Sequence, residues 1–178
     1  MPKFCANLTL LFNEASFLDR FELAAKEGFE GVEYLFPYAY PKAQLAEKLA
    51  AHELQQILHN MPAGDWEQGS RGIACLPDRV GEFQDGVGQT IEYATALRCK
   101  QVNCLAGIAP VGADPERCRR TFVDNLAFAA PKLQTAGIRL LFDFVDRIGY
   151  RGWIGCEYKP KTTTVAGLGW IRPHLPKR

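Results

Sequence analysis

Amphipathic segments followed by short apolar runs recur through this sequence, and glycine separates the two at three places, Gly28, Gly137 and Gly149. Glycine tolerates the left-handed backbone conformation at which many helices end, so each repeat predicts a helix followed by a strand. Strands that alternate with helices along a chain pair in parallel and are covered by those helices. The repeat therefore predicts an α/β fold built on a parallel sheet.

The repeats divide almost the whole chain into predicted elements. Helical spacing of apolar residues predicts helices over residues 17–27, 42–52, 80–97 and 118–136, with a short helical piece over 144–148. Apolar runs predict strands over residues 3–8, 31–35, 55–59, 101–105, 138–142 and 153–156. No break in composition separates these units, so we expect a single domain over residues 1–178. Residues 61–79 depart from the rhythm as a long loop rich in glycine, proline and aspartate, and such loops are usually functional or mobile.

Composition argues against several classes of function. The formal net charge is +1, which gives no electrostatic reason to expect a nucleic-acid partner. No apolar run approaches the roughly 20 residues of a membrane span, and the N-terminus lacks a signal-peptide core, so we expect a cytoplasmic protein without a membrane partner. The motifs of nucleotide-binding proteins and of the common hydrolases are missing, so no organic cofactor is expected.

Six cysteines are spread through the chain without any CxxC pair. Most lie in or beside apolar runs that are predicted to be strands. We interpret them as small buried hydrophobic residues of a protein from a reducing compartment. A structural zinc site or a set of disulfides is not expected from this spacing.

Polar side chains end or follow each predicted strand. They are Asn7, Glu33, His59 with Asn60, Asn103, Asp143 and Glu157. Parallel strands bring their carboxyl ends to one edge of a sheet, so we expect these side chains to gather there. Carboxylates with an imidazole suit a divalent metal, and they equally suit proton transfer beside a carbonyl. Structural roles are also open: Glu33 could pair with a lysine or cap a helix, His59 could be a core residue, and the asparagines could satisfy backbone groups.

Glu157 is the strongest of these candidates. The apolar run at residues 153–156 predicts a buried strand, and Pro160 prevents that strand from continuing, so Glu157 stands at its exit. Asp143 is ambiguous, because the residues before it indicate a strand and the residues after it a helix. Arg71 lies in a glycine-rich stretch that is either a lid over a small ligand or a solvated loop, and its guanidinium suits an anionic group.

Six short motifs occur in order along nearly the whole chain. They are Ala6-Asn7-Leu8, Gly31-Val32-Glu33-Tyr34, Phe36-Pro37-Tyr38, Asn60-Met61-Pro62-Ala63-Gly64-Asp65, Gly155-Cys156-Glu157-Tyr158-Lys159-Pro160 and Thr163-Thr164-Val165-Ala166-Gly167-Leu168-Gly169-Trp170. Together they resemble hydroxypyruvate isomerase. The resemblance implies a xylose-isomerase-like TIM barrel that interconverts hydroxypyruvate and tartronate semialdehyde. It also implies a divalent metal, Mg²⁺ or Mn²⁺, which the wider superfamily holds with two glutamates, an aspartate and a histidine or glutamine at strand ends.

The resemblance breaks at one point in the chain. It runs smoothly through residues 137–141, after which residues 142–150 resemble the family's last helix before strand 8. This implies an internal deletion that removes the end of strand 5, strands 6 and 7 and three of the four metal ligands. Glu157 is the ligand that remains, and Asp143 falls at the register of a lost glutamate. We therefore expect a TIM-barrel-derived parallel (β/α) fold shortened to about six βα units, with a metal site at Glu157 and Asp143 that is weak or absent.

Three hypotheses of function follow. The first is an isomerase that moves a proton between adjacent carbons of a small 2-oxo acid through an enediolate, with turnover impaired by the missing segment. In it Glu157 is the acid/base, and the substrate contacts Asn7, Glu33, His59, Asn60 and Arg71. The second is a 2-oxo-tetronate isomerase on the same scaffold. The third is a non-catalytic barrel fragment that self-assembles, since open sheet edges and uncovered apolar faces predict a homo-oligomer.

Overall fold

The computed structural model describes residues 3–141, 153–156 and 163–167. Within them the chain forms six strands, β1 (Lys3–Asn7), β2 (Gly31–Glu33), β3 (Gln55–Asn60), β4 (Gln101–Asn103), β5 (Arg139–Leu141) and β6 (Trp153–Cys156). The helices are α1 (Arg20–Lys26), α2 (Lys42–Ala51), α3 (Val80–Ala96), α4 (Pro115–Thr135) and the short α5 (Thr164–Gly167). Single 3-10 turns at Phe17–Asp19 and Pro77–Arg79 lead into α1 and α3. The alternation of strands and helices confirms the predicted α/β fold.

The first of two compact units takes in the described residues among 1–59, 96–99 and 145–178. Its strands follow the order β3-β2-β1-β6, and every pair is parallel. In the register of β1 and β2, Cys5 stands opposite Gly31 and Asn7 opposite Glu33. Because these strands are parallel and in register, their last residues lie side by side, as the sequence predicted.

Helix α1 covers the sheet of this unit because its apolar residues recur on one face. Phe21 and Ala24 are fully buried. The Phe21 ring meets the ring of Tyr34 at a steep angle, with centroids 5.8 Å apart. The chain then leaves the helix at Gly28, whose φ of 89° is the left-handed conformation expected at a helix end. The predicted stop at this glycine is thus confirmed.

The second unit takes in the described residues among 60–95 and 100–144. Strands β4 and β5 pair in parallel, with Asn103 opposite Leu141. Helix α4 begins at Pro115, where the Asp114 carboxylate accepts a hydrogen bond from the Glu116 N–H at 3.0 Å. The cap starts the helix earlier than the predicted residue 118. Gly137, with φ of 72°, follows the helix and lets the chain turn into β5.

The long loop of residues 61–79 is folded against its own unit. The Gly72 N–H donates to the Ala63 carbonyl at 3.1 Å, and the Cys75 N–H donates to the Ala106 carbonyl at 2.7 Å. Helix α4 reaches the same loop, since the Asn125 amide donates to the Ala74 carbonyl at 2.9 Å. Several backbone polar groups of this irregular segment are therefore satisfied within the protein rather than by solvent alone.

The predicted strands are longer than the observed ones at several exits. Strand β2 ends at Glu33 and β4 ends at Asn103, each two residues before the end of the predicted strand. The apolar residues that follow are buried or half-buried in irregular backbone, and periodicity alone does not separate such a segment from a strand. The predicted helical piece at 144–148 lies outside the described residues. The five cysteines within residues 3–141 are buried thiols.

Candidate active site

Asn7 and Glu33 form a buried polar pair where β1 and β2 end. The Asn7 amide nitrogen donates to Glu33 Oε1 at 3.4 Å. Only 2% of Asn7 and 6% of Glu33 are exposed to solvent. A carboxylate is costly to remove from water unless donors surround it, so the asparagine stabilises its charged form. The structure thus brings together two of the side chains that the sequence placed at strand exits.

A thiol also contacts this carboxylate. Cys5 lies two residues before Asn7 on β1, so its side chain points to the same face of the strand. Cys5 Sγ donates to Glu33 Oε2 at 3.5 Å and is fully buried. Each Glu33 oxygen therefore faces a different donor from β1. The sequence suggested Cys5 only as a small hydrophobic residue, and the parallel register is what gives it this contact.

The orientation of the Asn7 amide is set by the turn that follows β1. The Thr9 N–H donates to Asn7 Oδ1 at 3.0 Å, which assigns the amide oxygen to the turn. The amide nitrogen is then left to face Glu33. The Thr9 hydroxyl in turn accepts the Leu35 N–H at 2.9 Å, which fixes the chain just after β2. Backbone groups of both neighbouring loops therefore position the pair.

His59 is buried in β3, with 1% of its surface exposed. Its Nδ1 lies 3.5 Å from the Tyr38 hydroxyl, and the two rings meet edge to face with centroids 5.9 Å apart. The tyrosine can donate to the imidazole or accept from it, according to the tautomer. In the sequence, Tyr38 stood out only as part of the Phe36-Pro37-Tyr38 motif. No spacing signal links it to His59, because the contact arises from the parallel pairing of β2 and β3.

In the second unit, the amides of two strand exits meet each other. The Asn103 amide nitrogen at the end of β4 donates to Asn60 Oδ1 at 3.1 Å. The backbone supports the same contact, since the Met61 N–H donates to the Asn103 carbonyl at 2.8 Å. Amide side chains at this edge can orient a substrate through donors and acceptors without adding charge.

Arg71 lies exposed on the loop of residues 61–79. Its guanidinium carbon stands 4.2 Å from the centroid of the Trp66 ring, within the range of a cation–π contact. Its Nη1 donates to the Trp66 carbonyl at 3.1 Å and to the Ser70 carbonyl at 2.7 Å. Since these contacts occupy one nitrogen, the remaining guanidinium donors stay available for an anion.

A metal site was predicted at Glu157 and Asp143, and both residues lie outside the described part of the chain. Among the side chains that the structure describes, no three or more from His, Cys, Asp and Glu cluster in a way that could hold a metal. The Glu33 carboxylate accepts hydrogen bonds from a thiol and an amide. The described residues therefore do not supply the oxygen-rich ligand set that a hard divalent cation requires.

Family membership is decided by comparison with known proteins. A family model described as xylose isomerase-like TIM barrel matches residues 21–143, which is more than half of the chain. The chain belongs to the xylose isomerase-like TIM barrel family. The predicted fold class is thereby confirmed.

In the described part of the chain, no helix has both the length and the apolar composition needed to cross a bilayer.

Comparison with individual proteins shows to which members of the family the chain is similar. The chain is 36% identical to hydroxypyruvate isomerase of Escherichia coli, over 98% of this chain and all of that protein. It is 32% identical to 2-oxo-tetronate isomerase of Cupriavidus necator, over 98% of this chain and 99% of that protein. A crystal structure from Brucella melitensis, described as AP endonuclease, family 2, matches with a TM-score of 0.92 and 32% identity, over 99% of this chain and all of that chain. The resemblance to hydroxypyruvate isomerase is confirmed.

Proposed function

We propose that this chain is an isomerase of small 2-oxo acids that interconverts hydroxypyruvate and tartronate semialdehyde. The observation that carries the proposal is its 36% identity to E. coli hydroxypyruvate isomerase across 98% of this chain. The buried pair of Asn7 and Glu33 supports it, because a carboxylate beside a donor at a strand exit suits a hydroxylated substrate. The formal net charge of +1 favours a small substrate over a polyanion.

The reaction is an internal redox exchange between two neighbouring carbons. A base removes a proton from C3 of hydroxypyruvate, and the electrons of that C–H bond form a C2–C3 double bond in an enediolate. A proton then returns to C2, and the hydroxyl proton moves from O3 to O2, which leaves the aldehyde at C3. One carbon is oxidised as the other is reduced, so no external oxidant or reductant is required.

Each predicted site residue has a role in this proposal. Glu157 moves the proton as acid and base. Glu33, held by Asn7, accepts a hydrogen bond from a substrate hydroxyl. His59 and Asn60 orient the substrate, and Arg71 holds its carboxylate. Preorganised donors and a carboxylate of this kind stabilise the charge that develops on the enediolate oxygens.

A divalent metal belongs to this proposal only through family resemblance. Mg²⁺ or Mn²⁺ at Glu157 and Asp143 would polarise the substrate carbonyl when bound. No proton transfer in the proposed reaction is assigned to it, because the described side chains offer no ligand cluster. We propose that the affinity for either ion is low.

We also propose that turnover falls well below that of the longer relatives. The alignment to the E. coli enzyme extends over 257 positions, whereas this chain has 178 residues, so many aligned positions carry no residue of this chain. This difference supports an internal deletion. We further propose that the protein acts in the cytoplasm and forms a homo-oligomer.

The first experiment measures proton transfer directly, since net turnover is expected to be slow. Hydroxypyruvate is incubated with the protein in D₂O, and deuterium incorporation at C3 is followed by NMR against a protein-free sample. Glu33→Gln should slow incorporation by about tenfold or more, because it removes a charged acceptor. Glu30→Gln, on an exposed residue just before β2, should leave the rate unchanged. If incorporation in the unaltered protein is no faster than without protein, the proposal fails.

The second candidate function is isomerisation of 2-oxo-tetronate. It is favoured by relatives of that name, at 32% identity in Cupriavidus necator and 33% in Pectobacterium atrosepticum. Parallel assays with both substrates rank them by kcat/KM. If neither substrate exchanges deuterium, the third hypothesis remains, that of a non-catalytic barrel fragment that self-assembles.

A further inference from the structure

The loop that follows β1, residues 8–16, is held from the side of α1 by one arginine. Arg20 Nη1 donates to the Leu8 carbonyl at 2.8 Å and to Asn13 Oδ1 at 2.6 Å. Its Nε donates to the Ala15 carbonyl at 3.1 Å. These contacts tie the beginning of the loop to its second half, and Phe12 and Glu14 are held by another element. We refer to residues 8–16 as the β1 loop.

The middle of the β1 loop is held by Thr164, the first residue of α5. The Phe12 N–H donates to Thr164 Oγ1. The Thr164 N–H donates to Glu14 Oε1 at 3.0 Å, and its hydroxyl donates to Glu14 Oε2 at 3.4 Å. Thr164 is fully buried, although it lies about 150 residues further along the chain. The hydroxyl thus accepts one hydrogen bond and donates another, a combination that serine retains and valine lacks.

The backbone of the β1 loop requires such support. Phe12 has φ of 60°, in the left-handed region that a bulky side chain rarely occupies. Its ring is fully buried in the same conformation. A backbone held in a sparsely populated region persists only where surrounding contacts fix it, and the Thr164 hydroxyl bonds the amide of this residue.

The conformation of the β1 loop also determines how Asn7 is oriented. The Leu10 and Leu11 N–H groups donate to the Asn7 carbonyl at 3.1 and 2.9 Å. The Thr9 N–H donates to the Asn7 side-chain oxygen, so that its amide nitrogen faces Glu33. Three consecutive amides of the loop are thus bonded to one residue of the candidate site. A change in the loop would release Asn7 from this orientation.

We propose that Thr164 is a positioning residue, which holds the β1 loop in the conformation that turns the Asn7 amide towards Glu33. It acts through Phe12 and Glu14 and does not touch the reacting atoms. The proposal rests on the proposed function in so far as the Asn7–Glu33 pair contacts substrate. The contacts that carry it connect residues of the first unit only.

The test compares Thr164→Val, which has nearly the same shape without the hydroxyl, with Thr164→Ser, which keeps the hydroxyl. Thr135→Val is the matched control, since it removes an exposed threonine hydroxyl that bonds the Pro131 carbonyl in α4. Amide hydrogen exchange is measured by mass spectrometry on the full chain. Thr164→Val should speed exchange in residues 8–16 by about tenfold and leave residues 115–135 unchanged. Thr164→Ser and Thr135→Val should leave exchange in residues 8–16 within about twofold of the parent protein. Unchanged exchange in residues 8–16 of Thr164→Val, or faster exchange throughout the chain, would overturn the proposal.

Turnover separates the positioning role from a purely structural one. Deuterium incorporation into hydroxypyruvate should fall by about tenfold in Thr164→Val at a temperature where the variant is folded, and Thr164→Ser should restore it. A folded Thr164→Val variant that keeps the parent rate contradicts positioning. If the parent protein itself shows no incorporation, the proposed function fails, and the exchange of residues 8–16 still decides whether Thr164 holds the loop.

Discussion

At the scale of single residues, burial governs what the cysteines can do. Removal from water raises the pKa of the Cys104 thiol to about 12, because the thiolate loses its hydration. Burial and the neighbouring Cys118 both raise the pKa of Cys75. Only the thiolate is a nucleophile, so both shifts lower the reactivity of these thiols near neutral pH. The interpretation of the cysteines as buried apolar residues agrees with this chemistry.

We therefore expect Cys104 to resist alkylation in the folded protein. At pH 8 its thiolate fraction should be about a thousandfold below that of an ordinary thiol, and the fraction should rise as the pH approaches its pKa. Iodoacetamide labelling followed by peptide mass spectrometry measures this reactivity. The same peptide from urea-unfolded protein is the control and should label rapidly. Equal labelling rates in the folded and unfolded protein would contradict the burial of Cys104.

Replacement by alanine should change the free energy of unfolding in opposite directions at two glycines. Gly72 has φ of 112°, and a Cβ there would come within 2.2 Å of the Leu105 carbonyl oxygen. Gly72→Ala should lower the free energy of unfolding by at least about 2 kcal/mol, because the left-handed backbone and the nearby Leu105 carbonyl both exclude a side chain. Gly88 lies exposed in α3, and a Cβ added there would have no described atom within 4 Å beyond its chain neighbours and its own helix backbone, so Gly88→Ala should raise that free energy by about 0.5–1 kcal/mol. Urea unfolding of both variants checks the two signs, and a stable Gly72→Ala protein would contradict the close crossing of these loops.

The residues of the candidate site show which features of a site can be predicted from a sequence. Asn7 and Glu33 were predictable because each ends an apolar run, and parallel pairing brings such ends together. The partners Cys5, Tyr38 and Thr164 were not predictable as partners. Their contacts depend on the register between distant segments, and local periodicity carries no information about it.

At the scale of elements, α4 contains a proline where a helix ordinarily excludes one. Pro131 lies inside the helix and cannot donate to the carbonyl of Ala127, four residues earlier. Both residues are exposed, so water can reach that carbonyl. The missing hydrogen bond and the ring clash cost stability even so.

Pro131→Ala should raise the free energy of unfolding by about 1–3 kcal/mol. Pro115→Ala is the matched control in the same helix. Pro115 occupies the first turn, where the ring suits the backbone and no N–H is required, so its replacement should bring no gain. Thermal unfolding by circular dichroism measures both, and equal effects of the two substitutions would contradict this account.

The carboxyl ends of α1 to α4 were the best predicted features of the elements, each within one residue of its observed position. Asp114 and Gly137 mark the two ends of α4 by local chemistry, through a side-chain cap and a left-handed backbone. Strand ends were predicted less well, because β2 and β4 end where tertiary contacts turn the chain. The loop of residues 61–79 was predicted as irregular, but its hydrogen bonds to residues far along the chain could not be read from composition.

At the scale of the whole molecule, the pairing of strands bears on self-association. Strand β5 pairs with β4, and no described residue pairs with its other edge. The Arg139 N–H and the Leu141 carbonyl bond towards β4. Backbone groups alternate in direction along a strand, so those of Leu140 lie on the open edge. Exposed edges of this kind pair with other chains unless something blocks them.

We expect the chain to form an oligomer through the open edge of β5. Leu140→Pro removes the N–H on that edge and spares the bonds of Arg139 and Leu141 to β4, so it should shift the protein towards the monomer. Val111→Ser is the control, because Val111 is a fully exposed apolar residue of a loop and would matter if loop contacts drove association. Light scattering during size-exclusion chromatography over a hundredfold range of loading, on the order of 1–100 μM, measures the mass of each variant. A parent protein that stays monomeric at the highest concentration, or a Leu140→Pro variant as oligomeric as the parent, would show that this edge does not pair between chains.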